Sequence, residues 1–95
     1  MDDGKYCVYI LTNRDNKVLY IGFTGNLKER IYQHKTGLVK GFTEKYNVNR
    51  LVYFEHFNNI DDAKRREKAM KKWRRSWKEE LISKSNPSWA EVLIH

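Results

Sequence analysis

Five polar side chains interrupt apolar patterns in this sequence: Tyr9, Tyr20, Arg30, His34 and Glu67. A guanidinium is a planar, permanently charged donor that suits a phosphate, and a single carboxylate is a normal protein ligand for Mg²⁺. A phenol has a pKa of about 10, which is too high for a base at neutral pH. A nearby cation and a metal-bound water would lower that pKa or accept the phenol's hydrogen bond. In one pocket, these groups would form a set able to cleave a phosphodiester.

Each of the five residues also has a purely structural interpretation. Tyr9 and Tyr20, taken singly, fit core aromatics whose hydroxyls are satisfied, and His34 alone fits a structural hydrogen-bonding residue. Arg30 fits a buried partner of an acidic residue. Glu67 would face solvent if its helix were rotated by one position, because basic residues flank it. The chemical interpretation therefore depends on whether the fold brings the five together.

The two tyrosines lie on the arms of a predicted β-hairpin. Residues 6–12 and 17–22 are short runs of aliphatic and aromatic residues, and the cluster at 13–16 suits a turn. Both runs are apolar at successive positions, which predicts that both faces of the sheet are covered. An even number of loop residues would place Tyr9 and Tyr20 on one face, whereas an odd number would separate them.

A first helix is predicted over residues 26–36. Asn26 can cap it, Glu29 stands at the capping-box position, and Gly37 marks its end. Helical spacing then predicts an inward stripe with two cationic or titratable members, consisting of Leu27, Arg30, Ile31, His34 and Leu38.

The rest of the chain predicts one more strand and two more helices. Residues 38–49 read as a loop and 51–57 as a third strand. Asn59 caps a second helix over about 60–74, whose inward stripe is Ile60, Ala63, Glu67, Met70 and Trp73 or Arg74. Ser76 and Glu79 form a capping-box pattern for a third helix, which ends before Asn86 and Pro87. We therefore predict an α+β fold in which a three-stranded antiparallel sheet is flanked by helices, in the order ββαβαα, as one domain over residues 1–95.

The charge of the chain predicts a polyanionic partner. The formal net charge is +7 and the isoelectric point is about 9.6, which is typical of proteins that bind nucleic acid or an anionic membrane surface. Residues 64–78 contain nine Lys or Arg and one acidic residue; the alternative interpretation of this run is a solvated face.

Because Cys7 is the only cysteine, no intramolecular disulfide or cysteine zinc site is expected. The start of the chain lacks a signal-peptide pattern and no apolar run approaches a membrane span, so we expect a soluble cytoplasmic protein that does not enter a membrane.

The order and spacing of these residues resemble the GIY-YIG nuclease superfamily. The resemblance extends from Tyr6 to Trp89, and its motif positions are Tyr9, Tyr20-Ile21-Gly22, Thr24, Asn26-Leu27, Arg30, His34 and Glu67. It is closest to small stand-alone members, which look like the N-terminal domain of the UvrC repair nuclease. The first triplet departs from the family pattern, because Cys7 and Val8 replace its glycine and isoleucine.

The resemblance implies an endonuclease that hydrolyses DNA with one Mg²⁺ or Mn²⁺ ion, with RNA left open as a substrate and a role in DNA repair or processing. By the same likeness, Glu67 would bind the metal and Arg30 would stabilise the scissile phosphate. One of Tyr9 and Tyr20 would activate the attacking water while the other orients it. His34 would assist proton transfer or hold a tyrosine. The substrate-binding positions implied are Thr24, Lys71, Lys72 and Asn86.

Two other functions remain open from the sequence. One is a nucleic-acid-binding module that keeps the fold but has little or no catalytic activity, which the basic run at 64–78 favours. The other is an interaction adaptor that uses Trp73, Trp77 and Trp89, although these aromatic residues also suit packing between helices. The sequence leaves open whether the protein is a monomer or an oligomer.

Overall fold

A computed structural model of the protein describes residues 5–94, which fold around one antiparallel sheet with the strand order β2-β1-β3. The elements are β1 (Tyr6–Thr12), β2 (Leu19–Thr24), α1 (Leu27–Lys35), α2 (Phe42–Lys45), β3 (Arg50–Phe57), α3 (Ile60–Lys72) and α4 (Arg75–Ser85). The predicted α+β fold, a three-stranded antiparallel sheet flanked by helices, is confirmed. Residues 1–4, on which the expectation of no signal peptide partly rests, lie outside the described residues. Within residues 5–94, no helix is long and apolar enough to cross a membrane.

The hairpin places the two tyrosines on the same face of the sheet. Tyr9 is paired with Gly22 and Leu11 with Tyr20, and the six residues between β1 and β2 make the loop even. Because Tyr9 and Leu11 are two residues apart and cross-strand partners share a face, Tyr9 and Tyr20 share it too. The strand β2 begins at Leu19, not at residue 17 as predicted. Backbone N–H groups of residues 17 and 18 donate to the Asn13 side chain at 2.9 and 3.0 Å, which binds them into the turn.

The expectation that both sheet faces are covered is confirmed. On the face that we call the α1 face, the buried cluster consists of Cys7, Tyr9, Leu11, Leu27, Ile31, Val48 and Leu51. On the opposite face, which we call the α3 face, it consists of Val8, Ile10, Ile21, Val52, Ala63, Met70 and Ile82. The central strand β1 therefore contributes alternate residues to two cores.

The main correction to the predicted fold is α2, a single helical turn in the segment predicted as a loop. Gly41 enters it with φ +102° and Asn47 follows it with φ 55°. Glycine adopts such a φ without the steric cost that a side chain brings. The backbone N–H of Val48 donates to the Thr43 carbonyl at 2.8 Å and closes the turn. Four helical residues give no periodic pattern, so the sequence did not reveal this element, and the observed order is ββααβαα.

Two of the predicted helix starts are confirmed and one is wrong. The Asn26 side chain accepts a hydrogen bond from the Glu29 backbone N–H, and the Asn59 side chain accepts from two N–H groups at the start of α3. Ser76 does not cap the last helix, because α4 already begins at Arg75. The N-cap residue is Arg74, whose side chain makes no capping hydrogen bond.

Two residues predicted to face the core are exposed. Leu38 is 64% exposed, because the chain turns away from α1 at Gly37, where φ is +75°. Ile60 is 38% exposed at the first position of α3, where the helix has not yet reached the sheet. The buried stripe of α1 therefore ends one position before the predicted end, and that of α3 starts one position after the predicted start.

Candidate active site

A buried hydrogen-bonded chain links Tyr9, His34 and Thr43 on the α1 face. The Tyr9 hydroxyl lies 3.2 Å from Nε2 of His34, and Nδ1 of His34 lies 3.2 Å from Oγ1 of Thr43. All three side chains are buried. The predicted inward position of His34 on α1 is therefore observed, and both of its ring nitrogens have partners.

Gly22 allows the Tyr9 ring to occupy this position. A Cβ atom at residue 22 would lie 2.4 Å from both Cζ and Oη of Tyr9, well inside the contact distance of real side chains. The Tyr9 ring therefore crosses directly over the backbone of β2. This close approach explains in steric terms why a tyrosine on one strand is paired with a glycine on the next.

Aromatic rings lead from this chain to the surface. The Tyr20 ring lies 6.4 Å from the Tyr9 ring and 5.9 Å from the His34 ring, measured between centroids. Phe42 stacks on Tyr20 at 6.3 Å, and Tyr46 contacts Phe42 at 4.9 Å. Phe42 and Tyr46 are nearly half exposed. The site is thus bordered by exposed ring surface from α2.

Arg30 lies on α1, one turn before His34, and is half-buried. Within residues 5–94, no group accepts a hydrogen bond or forms an ion pair with its guanidinium. Its positive charge acts on both buried members of the chain, Tyr9 and His34. An unpaired guanidinium held beside two buried polar groups is well placed to bind an anion.

Burial dominates the protonation of the buried chain. Desolvation raises the pKa of Tyr9 above its ordinary value; the charges of Tyr20 and Glu67 raise it further, while Arg30 lowers it. Desolvation also lowers the pKa of His34, and Arg30 lowers it further. At neutral pH, therefore, Tyr9 is a neutral phenol and His34 a neutral imidazole, with one donor and one acceptor on its ring.

Glu67 approaches the site from α3, at the edge of the sheet formed by β2. Its carboxylate is partly buried and forms an ion pair with Lys71 at 3.1 Å, and its charge is felt by Tyr9. Lys71 lines a cleft of about 300 Å³ together with Leu19, Tyr20, Ile21, Phe42 and Lys78. Residues of β2, α2, α3 and α4 therefore line one cleft, which combines aromatic side chains with two lysines.

The donor set at this edge suits a loosely held divalent ion and does not form a closed metal cage. Among the described residues, no group of three or more His, Cys, Asp or Glu side chains converges on one point. Glu67 supplies one hard carboxylate, and Mg²⁺ commonly binds one or two carboxylates while keeping several waters and taking oxygens from a substrate phosphate. The residues present therefore fit such an ion.

Two of the predicted substrate-binding side chains are engaged in holding the fold. Thr24 accepts a hydrogen bond from the Asn26 N–H at 3.0 Å at the entry to α1. The Asn86 amide donates to the carbonyls of Val52 and Ala90 at 3.0 and 2.9 Å. Val52 lies on β3, at the sheet edge opposite β2. Both N–H donors of Asn86 are therefore used within the fold, and a role of Asn86 in substrate binding stays a prediction.

Lys72 and the three tryptophans are the remaining residues that the sequence singled out. Lys72 is exposed next to Lys71. Trp73 and Trp77 form a T-shaped pair. The guanidinium of Arg66 lies 5.0 Å from the Trp73 ring centroid, and that of Arg74 lies 5.0 Å from the Trp77 ring centroid. Trp89 donates its indole N–H to Ser83 at 2.9 Å. Trp73 and Trp89 pack against the core of the α3 face, whereas Trp77 is 49% exposed. The adaptor hypothesis stays a prediction from the sequence.

The sequence interpretation missed Thr43, Phe42 and Lys78. Thr43 and Phe42 lie on α2. The sequence of a four-residue helix is too short to show a periodic pattern, so it does not predict which of its side chains face the core. Lys78 is one of nine basic residues in its run. Only its place in the cleft with Tyr20 and Phe42 distinguishes it from the others.

The fold and the site define a GIY-YIG nuclease domain. The sequence model of the family described as the GIY-YIG catalytic domain matches residues 5–80, and the chain belongs to this family. It is 43% identical over 76 residues to a UPF0213 protein of Clostridium perfringens, covering 80% of this chain and 81% of the relative. A UPF0213 protein of Staphylococcus haemolyticus is 37% identical, over 83% of this chain and 95% of the relative. The solution NMR structure of a UPF0213 protein from Bacillus halodurans matches 88% of each chain with a TM-score of 0.57 and 31% identity.

Proposed function

We propose that the protein is an endonuclease that hydrolyses DNA phosphodiester bonds with the help of one Mg²⁺ or Mn²⁺ ion. The observation that carries this proposal is the buried Tyr9–His34 hydrogen bond, with the charges of the unpaired Arg30 guanidinium and the Glu67 carboxylate both acting on the Tyr9 phenol. Membership of the GIY-YIG family supports it. A cytoplasmic location and a role in DNA repair or processing are further predictions from the sequence.

Each side chain has a distinct task in this proposal. Arg30 binds the scissile phosphate, because its guanidinium has bidentate donors and no described partner. Tyr9 is a neutral phenol in the free protein and, held by His34, places its hydroxyl as a hydrogen-bonding and proton-transfer group beside the phosphate. Tyr20 borders the open cleft and contacts the attacking water. Glu67 would hold the metal ion, which supplies Lewis-acid stabilisation of charge on a phosphate oxygen.

The surroundings of the site suit a nucleic-acid strand. Lys71 and Lys78 line the cleft and offer positive charge to phosphates. Phe42 also lines it, and the exposed rings of Phe42 and the adjacent Tyr46 offer faces on which bases stack. Stacking of this kind requires a base that is not already stacked within a duplex. Single-stranded DNA is therefore included beside duplex DNA in the test.

The test compares cleavage of plasmid and single-stranded DNA by the purified protein with Mg²⁺, with Mn²⁺ and with a chelator. We expect cleavage only with metal, and a rate in Glu67→Gln lower by about a hundredfold, a loss typical when one charge-stabilising group is removed. The matched control is Glu80→Gln, since Glu80 is an exposed glutamate on α4 outside the site. Metal-independent cleavage, or full activity in Glu67→Gln, would contradict the proposal.

A nucleic-acid-binding module with little or no catalytic activity is the second candidate. The basic surface of α3 favours it, because Lys71 lines the cleft and Lys72 beside it is exposed. Binding through phosphate contacts would weaken steeply with salt and depend little on sequence. Tight, salt-sensitive DNA binding without turnover under any metal would favour this second function.

A further inference from the structure

The direction of the hydrogen bonds through His34 follows from counting donors. The chain runs from Tyr9 Oη to Nε2, and from Nδ1 to Thr43 Oγ1, with both distances 3.2 Å. A neutral imidazole carries one N–H donor and one acceptor nitrogen. Two arrangements are therefore available, one for each tautomer of the ring.

In the first arrangement, Nδ1–H donates to Thr43 and the Tyr9 hydroxyl donates to Nε2. The proton of the Thr43 hydroxyl then lacks an acceptor, because within residues 5–94 His34 is the sole hydrogen-bonding partner of that side chain. Thr43 is only 5% exposed, so water does not readily take this proton. A buried hydroxyl proton without an acceptor is costly.

In the second arrangement, the Thr43 hydroxyl donates to Nδ1 and Nε2–H donates to the Tyr9 oxygen. The one proton left over is then the hydroxyl proton of Tyr9. The Tyr9 side chain is as buried as Thr43, at 2% exposed, but its ring lies 6.4 Å from the ring of Tyr20, which lines the cleft, and the charges of Arg30 and Glu67 act on it. The Tyr9 proton is therefore the one that lies next to the cleft, whereas the Thr43 hydroxyl hydrogen-bonds to His34 alone among the described residues.

We propose that Thr43 is a positioning residue, whose hydroxyl donates to Nδ1 of His34 and holds the ring in the Nε2–H tautomer. His34 then donates to the Tyr9 oxygen, and the Tyr9 proton is directed toward the reaction site. The same N–H stabilises negative charge on the phenol oxygen whenever that proton shifts toward an acceptor. The tautomer depends on the fold alone, whereas its effect on catalysis rests on the proposed nuclease function.

The tautomer is measured by NMR correlation of the ring nitrogens and ring protons of ¹⁵N-labelled protein at pH 7.5, with the His34 signals assigned from their loss in His34→Gln. We expect Nε2 to be protonated and Nδ1 unprotonated in the wild type. In Thr43→Val, which keeps the shape but removes the hydroxyl, we expect loss of this preference. Thr43→Ser should restore it. A wild-type ring protonated at Nδ1, or the same tautomer in Thr43→Val, overturns the proposal.

The kinetic arm uses the same variants. We expect kcat for DNA cleavage to fall at least about tenfold in Thr43→Val with little change in KM, and to recover in Thr43→Ser, since the change affects an acid–base group. Thr36→Val is the matched control, because Thr36 is an exposed threonine at the end of α1 and should leave kcat unchanged. If the wild type cleaves no DNA, the proposed function fails, while the tautomer measurement still decides the role of Thr43.

Discussion

The two faces of the sheet differ in what they bury. The α3 face buries a cluster of aliphatic side chains and one methionine, whereas the α1 face buries a phenol against an imidazole and a hydroxyl. Buried polar groups are tolerated when each has a hydrogen-bonding partner, and within residues 5–94 no buried side-chain nitrogen or oxygen lacks one. We infer that the buried cluster of the α3 face mainly stabilises the fold, while the α1 face gives up apolar packing to hold the buried Tyr9–His34–Thr43 chain.

The largest expected effect is on stability, from Met70→Ala on the α3 face. Met70 is fully buried, and truncating such a side chain costs about 2–5 kcal/mol of unfolding free energy through lost burial and a residual cavity. Urea denaturation measures this loss, with Ile60→Ala, the exposed position on the same helix, as the matched control. Activity per folded molecule should stay unchanged well below the melting temperature. Equal losses in the two variants, or a loss of activity in folded Met70→Ala, would break the distinction between the faces.

The next effect lies on the α1 face and should reduce both stability and activity. In Gly22→Ala the new methyl group would lie 2.4 Å from the Tyr9 ring, so the ring must move, at a cost of about 1–3 kcal/mol typical of overpacking. Because Tyr9 moves away from His34, we expect DNA cleavage to fall as well. Gly25→Ala is the control, since its Cβ would lie 3.7 Å from the Tyr6 ring, an ordinary contact. Full activity in Gly22→Ala would show that the Tyr9 position is not critical.

The two faces also differ in how well the sequence predicted them. The stripe on α3 has a fixed period, and it identified Ala63 and Met70 as buried. The continuous apolar runs of the hairpin likewise predicted that both faces of the sheet are covered. The position of His34 also followed from the period of α1. Its partner Thr43 did not, because α2 is one turn long and its placement depends on a glycine with positive φ and on tertiary contacts.

The same limit explains the errors at the ends of elements. Ser76 and Glu79 match a capping pattern, yet α4 begins one residue earlier, at Arg75. The guanidinium of Arg75 donates to the backbone carbonyls of Asn16 and Lys17 at 2.8 and 2.7 Å. This contact joins residues far apart in the chain. Local pattern gives no information about it, so helix existence was predictable while the exact start was not.

The smallest expected effect is on the pH dependence of stability, and it again separates the faces. Burial, with Arg30, holds the pKa of His34 below the ordinary value of 6.5. Below that value the unfolded chain binds a proton that the folded protein does not, so the stability that neutral His34 contributes is present above pH 6.5 and is lost as pH falls through the lowered pKa. The difference in unfolding free energy between wild type and His34→Gln, measured by urea denaturation at pH 7.5 and 5.5, should therefore shift against the wild type at the lower pH.

Met70→Ala provides the contrast for this measurement. Its penalty comes from apolar burial, which does not titrate, so its loss of unfolding free energy should be the same at pH 7.5 and pH 5.5. The Glu55 carboxyl does not disturb the comparison. Its hydrogen bonds to Arg66 and Tyr53 outweigh the opposing effect of burial and hold its pKa below 4.5, so its contribution is lost only below this range. If the difference in unfolding free energy between wild type and His34→Gln is the same at pH 7.5 and pH 5.5, as expected for Met70→Ala, the surroundings do not hold the imidazole neutral. The electrostatic distinction between the two faces then fails.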